Sequence, residues 1–178
     1  GQGTRLRPLT DYAPKALLPV SGEPIIDRIL ERLSEAGLDS FEIVIGPMGE
    51  KIVSHLKDSE YDISFVKQDK PLGTAHALRF IKNPEEDFLV TASDSLFPNR
   101  FYERLVSFHE KGQATVALKW MSFSEITFSS TVSLNGDRIT DIIEKPSKDE
   151  ILSNYACGPL YIFSRGLWDY FFQTPLTE

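Results

Sequence analysis

Short apolar runs alternate with amphipathic stretches along most of this chain. Ile25, Ile26, Ile29, Leu30 and Leu33 recur at three- and four-residue intervals. That spacing predicts a helix from Pro24 to Ala36, ended by Gly37. Phe41 to Ile45 reads as a buried strand and Glu50 to Leu56 as a helix. A strand at Ile63 to Val66 and a helix from Thr74 to about Ile81 follow. Next come a buried strand at Phe88 to Thr91, a helix from Arg100 to Glu110 stopped by Gly112, and a strand at Ala114 to Trp120. The pattern then changes. Thr131 to Ile143 alternates around Asn135-Gly136, a hairpin signal. Leu160 to Phe163 predicts a last strand, and Leu167 to Phe172 the start of a helix. The alternation predicts an α/β fold: a mostly parallel, mixed sheet with helices on both faces and an antiparallel hairpin at one edge. In such sheets ligands bind beyond the carboxyl ends of the strands, so the loops there are the place to look for chemistry.

Length and composition narrow the field. The 178 residues suit a single domain with a real core, and 41% hydrophobic with 25% charged residues is ordinary for a globular chain. A net charge of −7 argues against nucleic-acid partners. The first twenty residues run the other way, Arg5, Arg7 and Lys15 outweighing Asp11. An acidic body with one basic loop suits a small anionic ligand. Cys157 is the only cysteine, which rules out an intrachain disulfide and reads as a small buried hydrophobe. No apolar run is long enough to span a bilayer, so no membrane partner is expected and the cytoplasm is the default location.

The opening residues Gly1-Gln2-Gly3-Thr4-Arg5-Leu6 form a phosphate-handling signature, with Pro14-Lys15 in the same loop. The glycines let the backbone approach a ligand, and successive N–H groups in such a turn attract anions. Arg5 offers a fork of donors and Lys15 a point charge. Loops of this kind are normally launched from a buried strand, and none precedes Gly1, so the chain is expected to be part of a longer protein. Asp94, just past the Phe88–Thr91 strand, suits either a Mg²⁺ ion or the cap of the helix beginning near Asn99. Between Gln68 and Leu78, Gln68 could read a base edge and Gly73 permits close approach, while Thr74 as an N-cap would explain the turn with no ligand. His76, inside that helix, reads as a packing or hydrogen-bonding residue. Glu144 and Lys145 stand at a strand end closed by Pro146, where a surface charge pair is the ordinary explanation. Gly158 marks a bulge or a backbone–ligand contact.

Taken in order, Gly-x-Gly-Thr-Arg-Leu, Pro-Lys, Leu-Gly-Thr-Ala, strand-Ser-Asp, Glu-Lys-Pro and the late glycine resemble the sugar-1-phosphate nucleotidyltransferases, the nucleotide-sugar pyrophosphorylases. The resemblance runs from Gly1 to about Phe163 and is most specific over residues 1–30. It implies a Rossmann-like fold and Mg²⁺-dependent transfer of a nucleotide from a nucleoside triphosphate to a sugar 1-phosphate, with pyrophosphate released. It also assigns roles. Gly1, Gly3 and Thr4 would wrap the nucleotide, Arg5 would meet its β- and γ-phosphates, and Lys15 its α-phosphate. Gln68 and Gly73 would read the base, with a lean toward UTP or dTTP. Asp94 would hold Mg²⁺, Glu144 and Gly158 would touch the sugar, and Lys145 its phosphate. The family's first strand and second metal-binding aspartate have no counterpart between Gly1 and Glu178, so residues 1–178 alone are expected to turn over weakly or not at all. Family members often assemble, so an oligomer fits. The competing readings are a regulatory module that binds without catalysis and a cytidylyltransferase acting on a non-sugar phosphate. A dinucleotide-binding dehydrogenase fits poorly, because Gly1-Gln2-Gly3 lacks the next glycine and leads into Pro8.

Overall fold

The structure, a computed structural model, describes residues 6–70 and 72–173. In chain order the elements are α1 (Leu9–Tyr12), a 3₁₀ turn (Lys15–Leu17), β1 (Pro19–Val20), β2 (Glu23–Pro24), α2 (Ile25–Glu35), β3 (Ser40–Ile45), α3 (Glu50–Leu56), β4 (Asp62–Lys67) and α4 (Thr74–Leu78). Then follow β5 (Phe88–Thr91), α5 (Phe101–Phe108), β6 (Ala114–Trp120), α6 (Phe123–Ile126), β7 (Ser130–Asn135), β8 (Arg138–Glu144), β9 (Tyr155–Phe163) and α7 (Tyr170–Gln173). The α/β alternation read from the sequence is therefore present.

The pairing is more antiparallel than that alternation suggests. β3 and β4 form a parallel pair, but β9 inserts between β5 and β6 antiparallel to both. The β7–β8 hairpin reverses the chain's direction before β9, which is why β9 enters its sheet from the opposite end. The hairpin forms its own two-stranded ladder beside β9, tied to it by a hydrogen bond from the Cys157 N–H to Ser130 Oγ. Its turn falls one residue later than the Asn-Gly signal implies. Asn135 pairs with Arg138, and Gly136 takes φ +60°, a conformation that costs glycine little.

α2 holds the layers together. Ile25, Ile29 and Leu33 pack against Tyr102 and Leu105 of α5 and against Ala117, Leu160 and Ile162 of the central sheet. Ile26 and Leu30 pack instead with Ala16, Ile45, Ile52 and Leu56. Each of the isoleucine and leucine side chains, when fully buried, contributes roughly 1.5–3 kcal/mol. Gly37, at φ +86°, ends α2 as the sequence indicates: its N–H bonds Ser34 O and the Leu38 N–H bonds Leu33 O. Phe88 and Phe163, paired on β5 and β9, meet Trp168 and Phe171 on the other side, so the central sheet is covered on both faces.

Several boundaries differ from expectation. β3 and β5 are half-buried rather than buried, with Ile45 the one buried residue of β3. Two short ladders leave much of each strand near an edge. α4 stops at Leu78 and starts after Gly73, which caps it without a side-chain bond, so Thr74 is not the N-cap. α5 ends before Gly112 because His109 turns to extended backbone. β9 begins at Tyr155, earlier than predicted, because a bulge lets it run through Gly158: Val116 faces Tyr161 while Leu118 faces Cys157.

Candidate functional site

Gly1, Gly3, Thr4 and Arg5 lie outside the described residues, as does Pro71. Lys15 begins the 3₁₀ turn after Pro14, whose extended backbone breaks from α1. The next residue, Ala16, is buried against Ile26 and Leu30 of α2, which fixes the turn on the core and leaves Lys15 at its surface. Asp94 stands three residues past β5. Its loop is held by the Ala92 N–H bonding Pro159 O at 3.1 Å. Lys15 Nζ lies 2.8 Å from Asp94 Oδ2, joining residues 79 apart in sequence, and each side chain is about a third exposed. An ion pair so placed stabilises the fold by no more than ~1 kcal/mol. Its significance is positional: it puts an anion and a cation side by side at the rim of the sheet. The capping alternative for Asp94 does not hold, since α5 is preceded by Arg100 and has no side-chain cap.

Gln68 sits at the carboxyl end of β4, where its N–H bonds Ile45 O at 2.8 Å and extends the β3–β4 ladder by one residue. Its side chain is buried, with Nε2 2.6 Å from His76 Nδ1. Gly73 takes φ +98° and ψ 175°, a region essentially reserved for glycine, and that turn launches α4 so that His76 folds back onto Gln68.

Glu144 ends β8 opposite Ser130, and the Lys145 N–H bonds Ser129 O at 2.6 Å with Lys145 at φ +47°. Both side chains are exposed, while Pro146 is buried. Burial, with Glu144's charge as a lesser cause, pushes up the Cys157 thiol and the Tyr161 hydroxyl. Gly158 is explained by packing: a Cβ there would stand 3.0 Å from Ala117 O. The bulge is therefore its structural reason.

The topology brings many of these residues to one rim. Asp94 follows Ala92, which bonds Pro159 beside Gly158; Cys157 bonds Ser130, and Ser130 pairs with Glu144. Gln68 and Gly73 lie at the end of the other ladder. No described backbone ladder joins β4 to β5; the two sheets share α2 and Phe41 as common packing.

One polar cluster has no counterpart among the residues singled out from the sequence. Asp87, His109 and Ser164 meet at the amino end of β5, away from Asp94. His109 Nε2 is 3.2 Å from Asp87 Oδ2, Ser164 Oγ donates to that oxygen at 2.9 Å, and His109 Nδ1 is 2.8 Å from Thr115 Oγ1. The Gly112 N–H donates to Ser164 Oγ at 2.7 Å. Ser164 is 2% exposed and its oxygen is fully engaged, so this is a clasp and not a nucleophile. Scattered as residues 87, 109 and 164, the trio has no local signature.

The Arg165 N–H, followed by the Ser164 and His109 hydrogen bonds, holds the Asp87 carboxyl below the usual range against the opposing effect of burial. A carboxyl with a depressed folded pKa contributes stability that is complete above its unfolded pKa. That contribution is lost as pH falls through the folded pKa. Asp87→Asn is therefore expected to lower stability at neutral pH and to flatten its loss on the acid side. Urea melts from pH 7 to pH 3 would measure it; parallel curves for the two proteins would contradict the clasp.

The family model for nucleotidyl transferases matches residues 1–178, and the chain belongs to that family. It is 33% identical over 170 residues to the bifunctional protein GlmU of Methanococcus maripaludis, covering 95% of this chain but 39% of that protein. It is 30% identical over 174 residues to the UTP–glucose-1-phosphate uridylyltransferase AglF of Haloferax volcanii, covering 94% of this chain and 70% of the relative. A crystal structure of UDP-glucose pyrophosphorylase complexed with UDP-glucose superposes with a TM-score of 0.82 at 25% identity, over 98% of this chain and 76% of the other. Among the described residues no helix is long and apolar enough to cross a membrane.

Proposed function

We propose that the protein containing this chain transfers a nucleotide from a nucleoside triphosphate, UTP or dTTP, to a sugar 1-phosphate and releases pyrophosphate. The observation that carries this reading is the 2.8 Å approach of Lys15 to Asp94 at the strand rim, two groups singled out for phosphate and metal chemistry. The attacking oxygen of a sugar 1-phosphate is mostly ionised near pH 7, its second pKa being ~6, so no catalytic base is required. That oxygen forms a bond to the α-phosphorus as the bond to the pyrophosphate oxygen breaks. The protein's task is to position two anions and to offset the developing charge.

Mg²⁺ takes one or two carboxylates and completes its shell with phosphate oxygens and water. Among the described residues no group of three or more potential ligands could hold a metal alone. Asp94 fits that economy: its Oδ2 already accepts from one cation, Lys15 Nζ at 2.8 Å, and substrate phosphates would supply the rest of a metal's shell. Mg²⁺ bound there would neutralise phosphate charge. Lys15 would orient the α-phosphate, Arg5 would meet the outer phosphates, and the Gly1–Gly3–Thr4 backbone would wrap the nucleotide. Glu144 and Gly158 would face the sugar, and Lys145 its phosphate.

The test is pyrophosphate release by the full-length protein across a panel of nucleoside triphosphates and sugar 1-phosphates, with and without Mg²⁺. Release with a uridine or thymidine triphosphate and one sugar 1-phosphate is the expected result. Nucleotide binding with no release from any pair would make the chain a regulatory module instead.

A further inference from the structure

We propose that Ser130 is a positioning residue for the sugar 1-phosphate, its hydroxyl setting how far the Glu144–Lys145 strand end stands from β9. The inference rests on the reading of Glu144 and Lys145 as contacts to the sugar and its phosphate.

Among the described residues no backbone ladder joins the β7–β8 hairpin to β9. The β5–β9 ladder ends with Thr91 opposite Leu160, and Cys157 lies beyond it. A side chain bridges the gap. The Cys157 N–H donates to Ser130 Oγ at 2.9 Å, and the direction is fixed, because a backbone N–H only donates. Ser130 is 2% exposed, so bulk water does not compete for that donor. One residue on, Thr131 Oγ1 accepts from the Leu152 and Ser153 N–H groups at 3.1 and 3.0 Å. Those bonds fasten the hairpin to the segment before β9. Among the described residues, the Ser130 bond is the one that reaches β9 itself.

Its place in the ladder gives this contact its consequence. Ser130 pairs with Glu144, and paired residues of an antiparallel ladder project from the same face. The Glu144 carboxylate therefore stands on the side that Ser130 turns toward β9. Its charge is felt there, at the Cys157 thiol and the Tyr161 hydroxyl. Lys145 belongs to the same unit. Its N–H bonds the carbonyl of Ser129, the residue before Ser130, and its φ of +47° is a strained value for a lysine. Gly158 follows Cys157 directly. One hydroxyl thus spaces Glu144 and Lys145 on the hairpin against Gly158 on β9.

The experiment is steady-state kinetics of the full-length protein, with the triphosphate and sugar 1-phosphate that turn over fastest in the panel above. Ser130→Ala and Ser130→Val remove the hydroxyl, whereas Ser130→Thr keeps it with the bulk of valine. Ser130→Ala and Ser130→Val are expected to raise KM for the sugar 1-phosphate about three- to tenfold, the scale of one hydrogen bond's net contribution, and to leave KM for the triphosphate unmoved. Ser130→Thr should stay near wild type. A merely structural role would lower the folded fraction, and so the rate per amount of protein, without moving KM. Equal sugar 1-phosphate KM values for Ser130→Thr and Ser130→Val, or a rise shared by both substrates, would overturn the role of Ser130. Glu144→Ala tests the reading beneath it: a sugar 1-phosphate KM that this change leaves unmoved would overturn that reading itself.

Discussion

Asp94→Ala is expected to remove most of the magnesium-dependent transfer, lowering kcat by about 10²–10³, the scale seen when one transition-state stabilising group is deleted. The argument rests on position. Asp94 is the carboxylate that the end of β5 delivers to the rim, and its Oδ2 faces the Lys15 ammonium at 2.8 Å. Removing it takes away the proposed metal ligand but leaves Lys15 free for phosphate, so affinity for the nucleotide without metal should hold or rise slightly. Folding should hardly change, because a pair a third exposed on each side contributes only up to ~1 kcal/mol. Steady-state rates, nucleotide titrations without Mg²⁺ and a thermal melt separate these effects. Near wild-type turnover would rule out Asp94 as the metal ligand.

Leu160→Ala carries the largest expected cost in stability, about 2–5 kcal/mol, the range for emptying a packed aliphatic site. Leu160 is 0% exposed and lies in β9, the strand that joins β5 to β6. Its side chain packs in the cluster that α2 and α5 build on the central sheet. Little can move in to fill the space, because neighbouring Ile162 and Ala117 are fixed by their own strands. Its backbone faces Thr91, next to the loop that carries Asp94, so loosening this point should also blur the rim. Denaturant titration would measure the loss. A change below ~1 kcal/mol would contradict the packing described.

Where local pattern decides structure, the sequence was a reliable guide. The i, i+3, i+4 spacing of α2 and the glycine that ends it reappear at the expected residues. The limits of α3, β5 and β6 also match, because each is bounded by a clear switch between apolar and polar runs. What local pattern could not reveal was partnership. The antiparallel entry of β9 depends on the hairpin turning the chain round, and the bulge at Gly158 on the strand opposite. The Lys15–Asp94 approach was implied only by resemblance, since nothing in either segment encodes the other. His76 was recognised as a hydrogen-bonding residue, but its partner became evident only once α4 was seen to fold back on β4. The Asp87 clasp was invisible for the same reason.

The position of β9 also has a bearing on biosynthesis. A ribosome releases β5 and β6 well before Tyr155–Phe163, and among the described residues the ladder of each is made with that segment. A nascent chain halted earlier would lack these ladders, and unpaired strand edges invite pairing with other molecules and attract chaperones. Assembly of this half of the molecule is thus concerted and late, and the loop bearing Asp94 gains its anchor at Pro159 only in that final step.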